Sequence, residues 1–565
     1  MCGIWALIEK KAKKTQVDIS KYLADFWQLK HRGPDNSHFE TFNQVYVGFH
    51  RLAIMDTSYA HRARSNQPYI FNDVDRTIVF ICNGEIYNFQ ELDKKYNLNI
   101  GTSDCMVIPK LYLLAKNNKE WCNMIKNEVK GEFAFVMFEF DTMKQLTRYY
   151  AGRDMIGIRP LYTIDNTSKN QFNDNDNDND IDMFSSEIKG MSSFNGKVIE
   201  FEPGTIKIVN MNPLNTSYVE TFNMADNLYN IKNYYTVPEN YHLTQIREAV
   251  VNSIKRRLHA DRPIAFLLSG GVDSSLVAAI SARILGTNIR TFCCGIKGST
   301  DMIYAKKVAE HIGSNHTEVY FTEEEGLAAI KDVIRTTETW DITTIRASVG
   351  QYLVSKYISE HTDCKVVLVG EGPDEVCSSY LFNFYAPNGE ELDKAAKEYV
   401  KEIHMYDGRR ADRCVSRWGL EARVPLLDPE FIETYWQIDG TSRMPTTHNM
   451  EKYLFRKSFN DLNLLPDEVL WRKKEAFSDG VSSKERSWFQ MIQDHINKKF
   501  ETKIYNLPDN IKIPPTKEAH YYLYKFIEYF GINRVSILPH YWQPKWGLKD
   551  GSKFIDPSAR VLDVY

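Results

Sequence analysis

Two short stretches of this chain carry residue types that could do covalent chemistry. The first is Phe266–Ser275, FLLSGGVDSS. The apolar run Ile264–Leu268 leads straight into Ser269-Gly270-Gly271, then Asp273, Ser274 and Ser275, and Leu276–Ile280 continues as apolar, helix-forming sequence. That order reads as a buried strand, a tight glycine turn and a helix N-terminus. Such a turn aims backbone N–H groups at one point, the helix dipole adds partial positive charge there, and glycine lets the backbone approach a ligand closely. The chemistry is anion binding, with phosphate or pyrophosphate as the natural anion. No Lys follows the second glycine, so the pattern G-x-x-x-x-G-K-[ST] of kinase-like and GTPase-like loops is excluded. A plain strand–turn–helix capped by serine would explain SGG alone, but Asp273 and the two serines weigh against it. The second stretch is MCGIWALI at the start. Removal of Met1 leaves Cys2 with a thiol and an α-amine on one residue. The amine titrates near pH ~8 and the thiol near ~8.5, so the amine can serve as base for its own nucleophile.

The elements that position these groups fall into two halves. A chain of 565 residues is too long for one core. Thr77–Cys82 reads as a strand entering Asn83-Gly84, a dipeptide that is a strong hairpin-turn signal. Around Cys2's half lie His31–Asp35 (HRGPD), His50–Asp56 (HRLAIMD), Ile81–Asn88 (ICNGEIYN) and Ser103-Asp104. If Cys2 attacks a primary amide, the Asn83 side chain and Gly84 N–H can stabilise a tetrahedral oxyanion. Arg51 suits a substrate α-carboxylate, and Asp104 with Glu85 suits its ammonium.

These motifs resemble the glutaminase domain of class II glutamine amidotransferases, in which a terminal Cys hydrolyses glutamine to glutamate and ammonia. The resemblance continues through GEFAFVMFEF, GRD and GIRPLY, with Ser185-Ser186-Glu187 and Pro203-Gly204 as its closing segment. It implies an N-terminal-nucleophile sandwich, two antiparallel sheets flanked by helices (αββα), over 2–205. It also implies a glutamine site of Arg51, Leu52, Ala53, Ile54, Met55, Asn83, Gly84, Glu85 and Asp104. The Asn-Asp repeat 173–180 inside this half suggests calcium at first. An EF-hand loop counted from Asp174 would need Gly and Glu where Asn179 and Ser185 stand, so a disordered surface insertion is the expectation.

Asn212–Pro238 is poor in pattern and rich in Asn, Thr and Tyr, and 206–238 is expected to be a linker. From 239 to 550, strand and helix patterns alternate: a helix over 242–258, strands over 289–295 and 316–321, helices over 301–312, 328–336 and 348–359, and a buried strand over 365–369. Alternation of this kind predicts an α/β domain with a parallel sheet and ligands at the strand C-terminal ends. Gly370-Glu371-Gly372-Pro373-Asp374-Glu375 is a second glycine turn, expected to face the first across one crevice. Carboxylates beside polyphosphate suggest Mg²⁺, for which Asp273 and Asp374 are the candidates; Glu375 reads as a helix cap. Glu371 is placed to act as general base. Arg472, Lys473 and Lys474 form a cationic cluster able to steady departing pyrophosphate. Glu338–Ser348 and Trp471–Val481 read as polar, partly helix-breaking segments.

FLLSGGVDSS resembles the loop of ATP pyrophosphatases, and DITTIRASVG, GLEARVP, RKKEAFSDG, HYWQPKW and DPSAR, in that order after it, resemble the glutamine-hydrolysing asparagine synthetases. That family activates aspartate with Mg-ATP as β-aspartyl-AMP, which ammonia attacks. The resemblance implies phosphate binding by Ser269, Gly270, Gly271, Asp273 and Ser274. It puts Leu267 and Cys294 beside adenine, with Val369 and Gly370 also on the nucleotide. Glu371 would be the base, Lys474 would stabilise the adenylation transition state, and Thr343 and Arg346 would lie near the aspartyl adenylate. Dimers occur in the family, which makes a homodimer possible without the sequence giving the oligomeric state. The family usually reads SGEGSDE where this chain has Val369 and Pro373. A hydroxyl and a backbone N–H are thereby lost, and weaker ATP binding is expected, with the loop stiffened by Cys377-Ser378-Ser379. A β-lactam-forming synthetase shares both domains but typically lacks the terminal Cys; a catalytically silent sensor of glutamine or nucleotide has only the altered loop in its favour.

Composition sets the remaining bounds. Net charge is −4 with no basic block, which gives no case for nucleic-acid binding. No run reaches the ~18 apolar residues of a membrane span, and the N-terminus does not read as a signal peptide. Nine cysteines without C-x-x-C pairs indicate neither a disulfide frame nor a zinc site, so the cytoplasm is the expected home. The last segment, 551–565, is expected to be a tail.

Overall fold

The computed structural model describes every residue except 11–18, 58–64, 166–180, 212–216, 232–238, 287, 476–479, 484, 502–506, 509–510, 512–515 and 547–565. The Asn-Asp repeat, the DPSAR segment and the expected tail lie outside the described residues. The chain forms two compact units, Met1–Asp226 with Ile532–Ile537, and Asn227–Gly531 with Leu538–Tyr565.

In the first unit the strands are β1 (Gly3–Glu9), β2 (Asn36–Phe42), β3 (Val45–Arg51), β4 (Tyr69–Asn72), β5 (Arg76–Ile86), β6 (Gly131–Asp141), β7 (Leu146–Arg153), β8 (Tyr162–Ile164), β9 (Ile181–Ser185), β10 (Val198–Glu200), β11 (Thr205–Met211) and β12 (Ser217–Asn223). They build two six-stranded sheets, β10-β8-β9-β1-β3-β2 and β12-β11-β7-β6-β5-β4, with antiparallel pairing throughout. Strand alternation explains how they stack. Val79 and Ile81 of β5 join Ile4, Ala6, Ile8, Val47 and Phe49 in a core between the sheets. Ile78, Phe80 and Cys82 point the other way, onto Phe89, Leu92, Val107, Ile108, Leu111 and Trp121 of the helices Phe89–Tyr96, Val107–Leu114 and Asn118–Glu128. On the far side of the first sheet, Phe26 of the helix Ser20–Trp27 packs on Trp5 and stacks on His50. Central β1 is therefore covered on both faces, which is why GIWALIE is almost wholly apolar.

Three sequence expectations are corrected by the structure. Asn83-Gly84 is not a hairpin turn: β5 runs through it, pairing Asn83 with Ala134 and Gly84 with Phe133. The continuous partner β6 outweighs the local turn signal. The expected linker at 206–238 begins with β11 and β12, which complete the second sheet of the first unit, β11 pairing with β7. Ile532–Ile537, expected within the 239–550 domain, also belongs to the first unit: Arg534 donates to the carbonyl oxygens of Met191 (3.1 Å), Phe194 and Gly196.

The second unit holds β13 (Ile264–Leu267), β14 (Arg290–Gly295), β15 (Asn315–Tyr320), β16 (Val366–Leu368) and β17 (Glu421–Arg423) in an all-parallel sheet of order β15-β14-β13-β16-β17. From β13 the chain first winds outward to β14 and β15, then returns to the other side at β16. The crevice past the C-terminal ends of β13 and β16 is the topological switch point, where open α/β sheets bind ligands. Glu338–Ser348 is less broken than its composition suggests: Asp341 caps a helix, Ile342–His361, through the Thr344 N–H. No described helix is long and apolar enough to cross a membrane.

Candidate active site

The switch point holds a cleft, and both glycine turns border it. Leu267, Ser269, Gly271, Asp273 and Ser274 form one wall; Gly370, Glu371, Gly372 and Asp374 form the other. Ser274 ties the first turn, its Oγ accepting from the Ser269 N–H at 3.1 Å and sharing a 3.0 Å hydrogen bond with Ser269 Oγ. Gly271, not a serine, is the N-cap residue of the helix Val272–Leu285, and no side chain caps that helix. Gly270 adopts φ 72°, and a Cβ there would meet the Ala305 backbone nitrogen at 2.5 Å. Gly270 is not itself among the residues lining the cleft, against the phosphate-binding expectation, and Arg472 holds its carbonyl at 3.1 Å.

The turns touch at Gly370, where a Cβ would lie 2.7 Å from the Ser274 backbone nitrogen. Gly370→Ala must push the phosphate turn aside. We expect ammonium-driven turnover of ATP to fall roughly 10²-fold, the cost of a displacement near 1 Å in a reacting site, with Cys2 chemistry unchanged. Calorimetric ATP titration and a glutaminase assay on the same preparation check both halves.

Charge is arranged around the turns in pairs. Asp374 accepts from Lys452 (2.5 Å), Lys474 and Ser379 (2.5 Å). Burial works against its charge, but the two ammonium groups win and hold it far below the usual carboxylate range. Asp273 Oδ2 accepts from the same Lys452 at 2.5 Å, while its buried Oδ1 has no partner among the described residues. Glu371 Oε1 accepts from the Gln351 amide at 3.0 Å and lies 3.6 Å from Arg410. Burial raises its pKa above the ordinary value; Arg410 opposes the shift and Asp407 adds to it. On the opposite wall, Cys294 lines the cleft with Leu267, Phe292 and Val354. Burial pushes its thiol up to about 12, so it presents an uncharged, soft surface suited to a flat heterocycle.

In the first unit the second group of candidates also forms a connected set. Cys2 Sγ donates to the Leu52 carbonyl at 3.8 Å. Arg32 Nε holds the Cys2 carbonyl at 3.0 Å, and its NH1 is paired with buried Glu187 at 2.6 Å. Asp35 accepts from the Ala53 N–H at 2.8 Å, so HRGPD pins the loop of HRLAIMD. Arg51 donates to Asn66 Oδ1 (3.1 Å) and to the Met55 and Asp56 carbonyls (3.2 Å each). Asp104 Oδ2 accepts from the Ile86 N–H at 2.7 Å. Asn83 is 1% exposed and its Nδ2 has no partner among the described residues, a donor left to a ligand.

Comparison with known proteins settles the lineage. A glutamine amidotransferase domain model matches residues 1–229, and an asparagine synthase model matches 245–397 and 385–525. Relatives named asparagine synthetase (glutamine-hydrolyzing) from Gallus gallus and Homo sapiens are 36% and 35% identical, over 100% of this chain and 99% of each relative. A probable one from Acanthamoeba polyphaga mimivirus is 36% identical over the full length of both. The chain belongs to the glutamine-hydrolysing asparagine synthetase family.

The structure departs from the sequence expectations at several further residues. Val369 is buried, donates its N–H to Arg423 at 3.1 Å and does not line the cleft, so a serine hydroxyl is not lost from the cleft wall. Pro373 sits at the first position of the helix Pro373–Val376, where a missing N–H breaks no helical bond. Glu375 caps nothing; it is buried and accepts from the Tyr380 hydroxyl. Burial, then Asp407 and Asp374, push its carboxyl well up. Thr343 and Arg346 are not in the cleft wall either. Both sit in the first turns of a buried helix, where Thr343 donates to Asp341 at 2.6 Å and Arg346 grips Glu518 through Nε (2.8 Å) and NH2 (2.5 Å). All three residues of the basic cluster line the cleft; Arg472 is engaged with Gly270, Asp301 and Glu475, and Lys474 pairs with Asp374. Lys452 and Arg410 were missed in the sequence. They stand far from any glycine turn and carry no spacing signal.

Proposed function

We propose that the second unit converts aspartate to asparagine through β-aspartyl-AMP, with ammonia that Cys2 releases from glutamine in the first unit. The observation that carries this reading is the meeting of two glycine turns at the sheet's switch point, with Glu371, Asp374 and Lys474 beside them. The first unit we take to be an N-terminal-nucleophile sandwich, on the strength of its helix–sheet–sheet–helix stacking and of Cys2 at the head of β1. With Met1 removed, the α-amine takes the thiol proton as sulfur attacks the glutamine amide; the C–N bond then breaks, that proton leaves with ammonia, and water hydrolyses the thioester to glutamate and free Cys2. The spare Asn83 amide, with the Gly84 N–H, receives the oxyanion. Arg51 takes the α-carboxylate, Asp104 and Glu85 the ammonium, and Leu52 to Met55 line the pocket.

At the synthetase cleft, ATP phosphates occupy the turn Ser269–Ser274 and adenine lies against Leu267 and Cys294. The aspartate side-chain carboxylate attacks the α-phosphorus, pyrophosphate departs, and Lys474 neutralises charge built up on the phosphates. Ammonia then attacks the acyl carbon, Glu371 takes its proton, and AMP leaves. Mg²⁺ fits the donor set: Asp273 and Asp374 already converge on one cation, the Lys452 ammonium. Among the described residues no third His, Cys, Asp or Glu completes a cage, so phosphate oxygens and water would fill the rest, as is usual for this ion. When bound, it would offset phosphate charge. Thr343 and Arg346 we assign to positioning the helix that carries Gln351. No disulfide joins the nine cysteines, which suits a cytoplasmic enzyme, and family practice supports a homodimer.

The test is an incubation with aspartate, Mg-ATP and amide-¹⁵N-glutamine. Labelled asparagine with equimolar AMP and pyrophosphate is the expected result. Glutamate without asparagine, even with added ammonium, would refute the synthetase reading.

A further inference from the structure

The reaction as drawn leaves one buried cation unused. Lys452 has a side chain only 2% exposed, and its Nζ donates at 2.5 Å both to Asp273 Oδ2 and to Asp374 Oδ1. It precedes the short helix Tyr453–Lys457 with φ 54°, a left-handed conformation that lysine adopts uncommonly. The remaining contacts of the pair are few. Asp374 also takes Ser379 and Lys474, and Asp273 Oδ1 has no partner among the described residues.

Two carboxylates drawn together in a cleft repel each other and are costly to bury unless a cation lies between them. Lys452 is that cation, and it stands where both carboxylates point. A divalent ion held by the same two oxygens cannot share the space with an ammonium group, because like charges would then sit at contact distance in a poorly solvated site. We propose that Lys452 is an internal counter-ion that closes the Asp273–Asp374 pair while no nucleotide is bound, and that it yields this place to the divalent cation arriving with ATP. Glu451, the neighbouring carboxylate in the same cleft, is taken up by Arg456, so the released ammonium finds an open anion in the phosphates. Metal binding is thereby made conditional on nucleotide: the bare ion must expel a buried ammonium that has nowhere to go, whereas metal and ATP together supply both the replacement charge and the anion. Lys452 is a positioning residue in this scheme. The inference rests on the assignment of Asp273 and Asp374 to the metal.

The experiment uses the full chain, Mn²⁺ without nucleotide, electron paramagnetic resonance to count bound ion, and thermal unfolding in parallel. Wild type and Lys452→Arg should bind no Mn²⁺ at this site and show no shift in Tm. Lys452→Met and Lys452→Gln should each gain one site, on the order of tenfold to a hundredfold tighter than wild type, the usual size of a coupling between two occupants. Mn²⁺ should raise their Tm, since it binds only the folded form. Adding Asp374→Asn to Lys452→Met should abolish the gain. A folded Lys452→Met and Lys452→Gln that bind no bare Mn²⁺, or a wild type that binds it equally well, would overturn the proposal. So would failure of both variants to fold in millimolar Mn²⁺, since the ion could then not replace the ammonium. Asp273→Asn and Asp374→Asn with Mn²⁺ and ATP separate the two levels. If both keep full Mn²⁺-ATP affinity, the metal assignment itself is wrong. If both lose it while Lys452→Met gains nothing, the metal assignment stands and the counter-ion role alone fails.

Discussion

Cys2→Ala should lose glutamine-driven asparagine synthesis by on the order of 10⁴-fold or more, the scale on which covalent hydrolases lose activity when their nucleophile is removed, yet keep ammonium-driven synthesis within about twofold. The asymmetry follows from chemistry divided between two compact units with separate cores. Alanine keeps the Cys2 β-carbon and removes only the sulfur, whose contact to the Leu52 carbonyl is a long one at 3.8 Å. The anchor of this residue is its backbone, through Arg32 to the Cys2 carbonyl and from Arg32 to Glu187, and alanine leaves that intact. The fold of the first unit should therefore survive, and a glutamine analogue that cannot be hydrolysed should still bind. Labelled asparagine from ¹⁵N-glutamine, read beside synthesis from ¹⁴N-ammonium, measures both arms in one vessel. Persistent transfer of the glutamine label in the variant would remove Cys2 from the reaction; loss of the ammonium arm in a folded variant would mean that the second unit depends on the first for more than nitrogen.

What could be read from the sequence depended on whether the signal was local. Ile264–Leu268 followed by Ser269-Gly270-Gly271 announces a buried strand, a turn and a helix because each is punctuated within a few residues, and β13 lies there. The parallel sheet was legible for the same reason, from alternating strand and helix patterns. Long-range pairing was not. Asn83-Gly84 carries a hairpin signal that only the presence of β6 cancels, and the stretch after 205 hides β11, whose partner β7 lies 50 or more residues earlier, and β12, which pairs with β11. The lining of the cleft was legible where its residues share one loop, as at Ser269, Asp273, Ser274 and Glu371. It was not legible where a charged side chain reaches in from elsewhere: Lys452 meets its acids across 179 and 78 residues of chain. Arg346 shows the converse. Its position in a family motif said nothing of its direction, which Glu518, 172 residues away, determines.

Glu371→Gln should lower ammonium-driven asparagine formation by about 10²–10⁴-fold, the range for loss of a general base, with ATP affinity changed by less than about threefold. Glutamine is nearly isosteric with glutamate, and its side-chain oxygen can still accept from Gln351, which now donates at 3.0 Å. The phosphate turns and the Asp273–Lys452–Asp374 bridge are untouched, so the nucleotide should find its site unchanged. What is lost is a carboxylate able to take the proton that ammonia must shed as it attacks the acyl carbon. The pH profile carries the distinctive part of the prediction. Burial raises the pKa of Glu371, Asp407 reinforces the rise and Arg410 resists it. A base works only when deprotonated, so wild-type kcat should fall as pH drops through this raised value, at higher pH than an ordinary glutamate would give. Rates must be normalised to neutral ammonia, which also declines as pH falls. After that correction wild type should keep an acid limb and Glu371→Gln should be flat, because an amide has no proton to gain in this range. An acid limb that persists unshifted in the variant would assign it to another group. Aspartate-dependent exchange between ATP and pyrophosphate then locates the step. Exchange that survives while amide formation collapses places Glu371 at the attack of ammonia, whereas exchange that falls in step with it would move the carboxylate's task forward to the activation of aspartate.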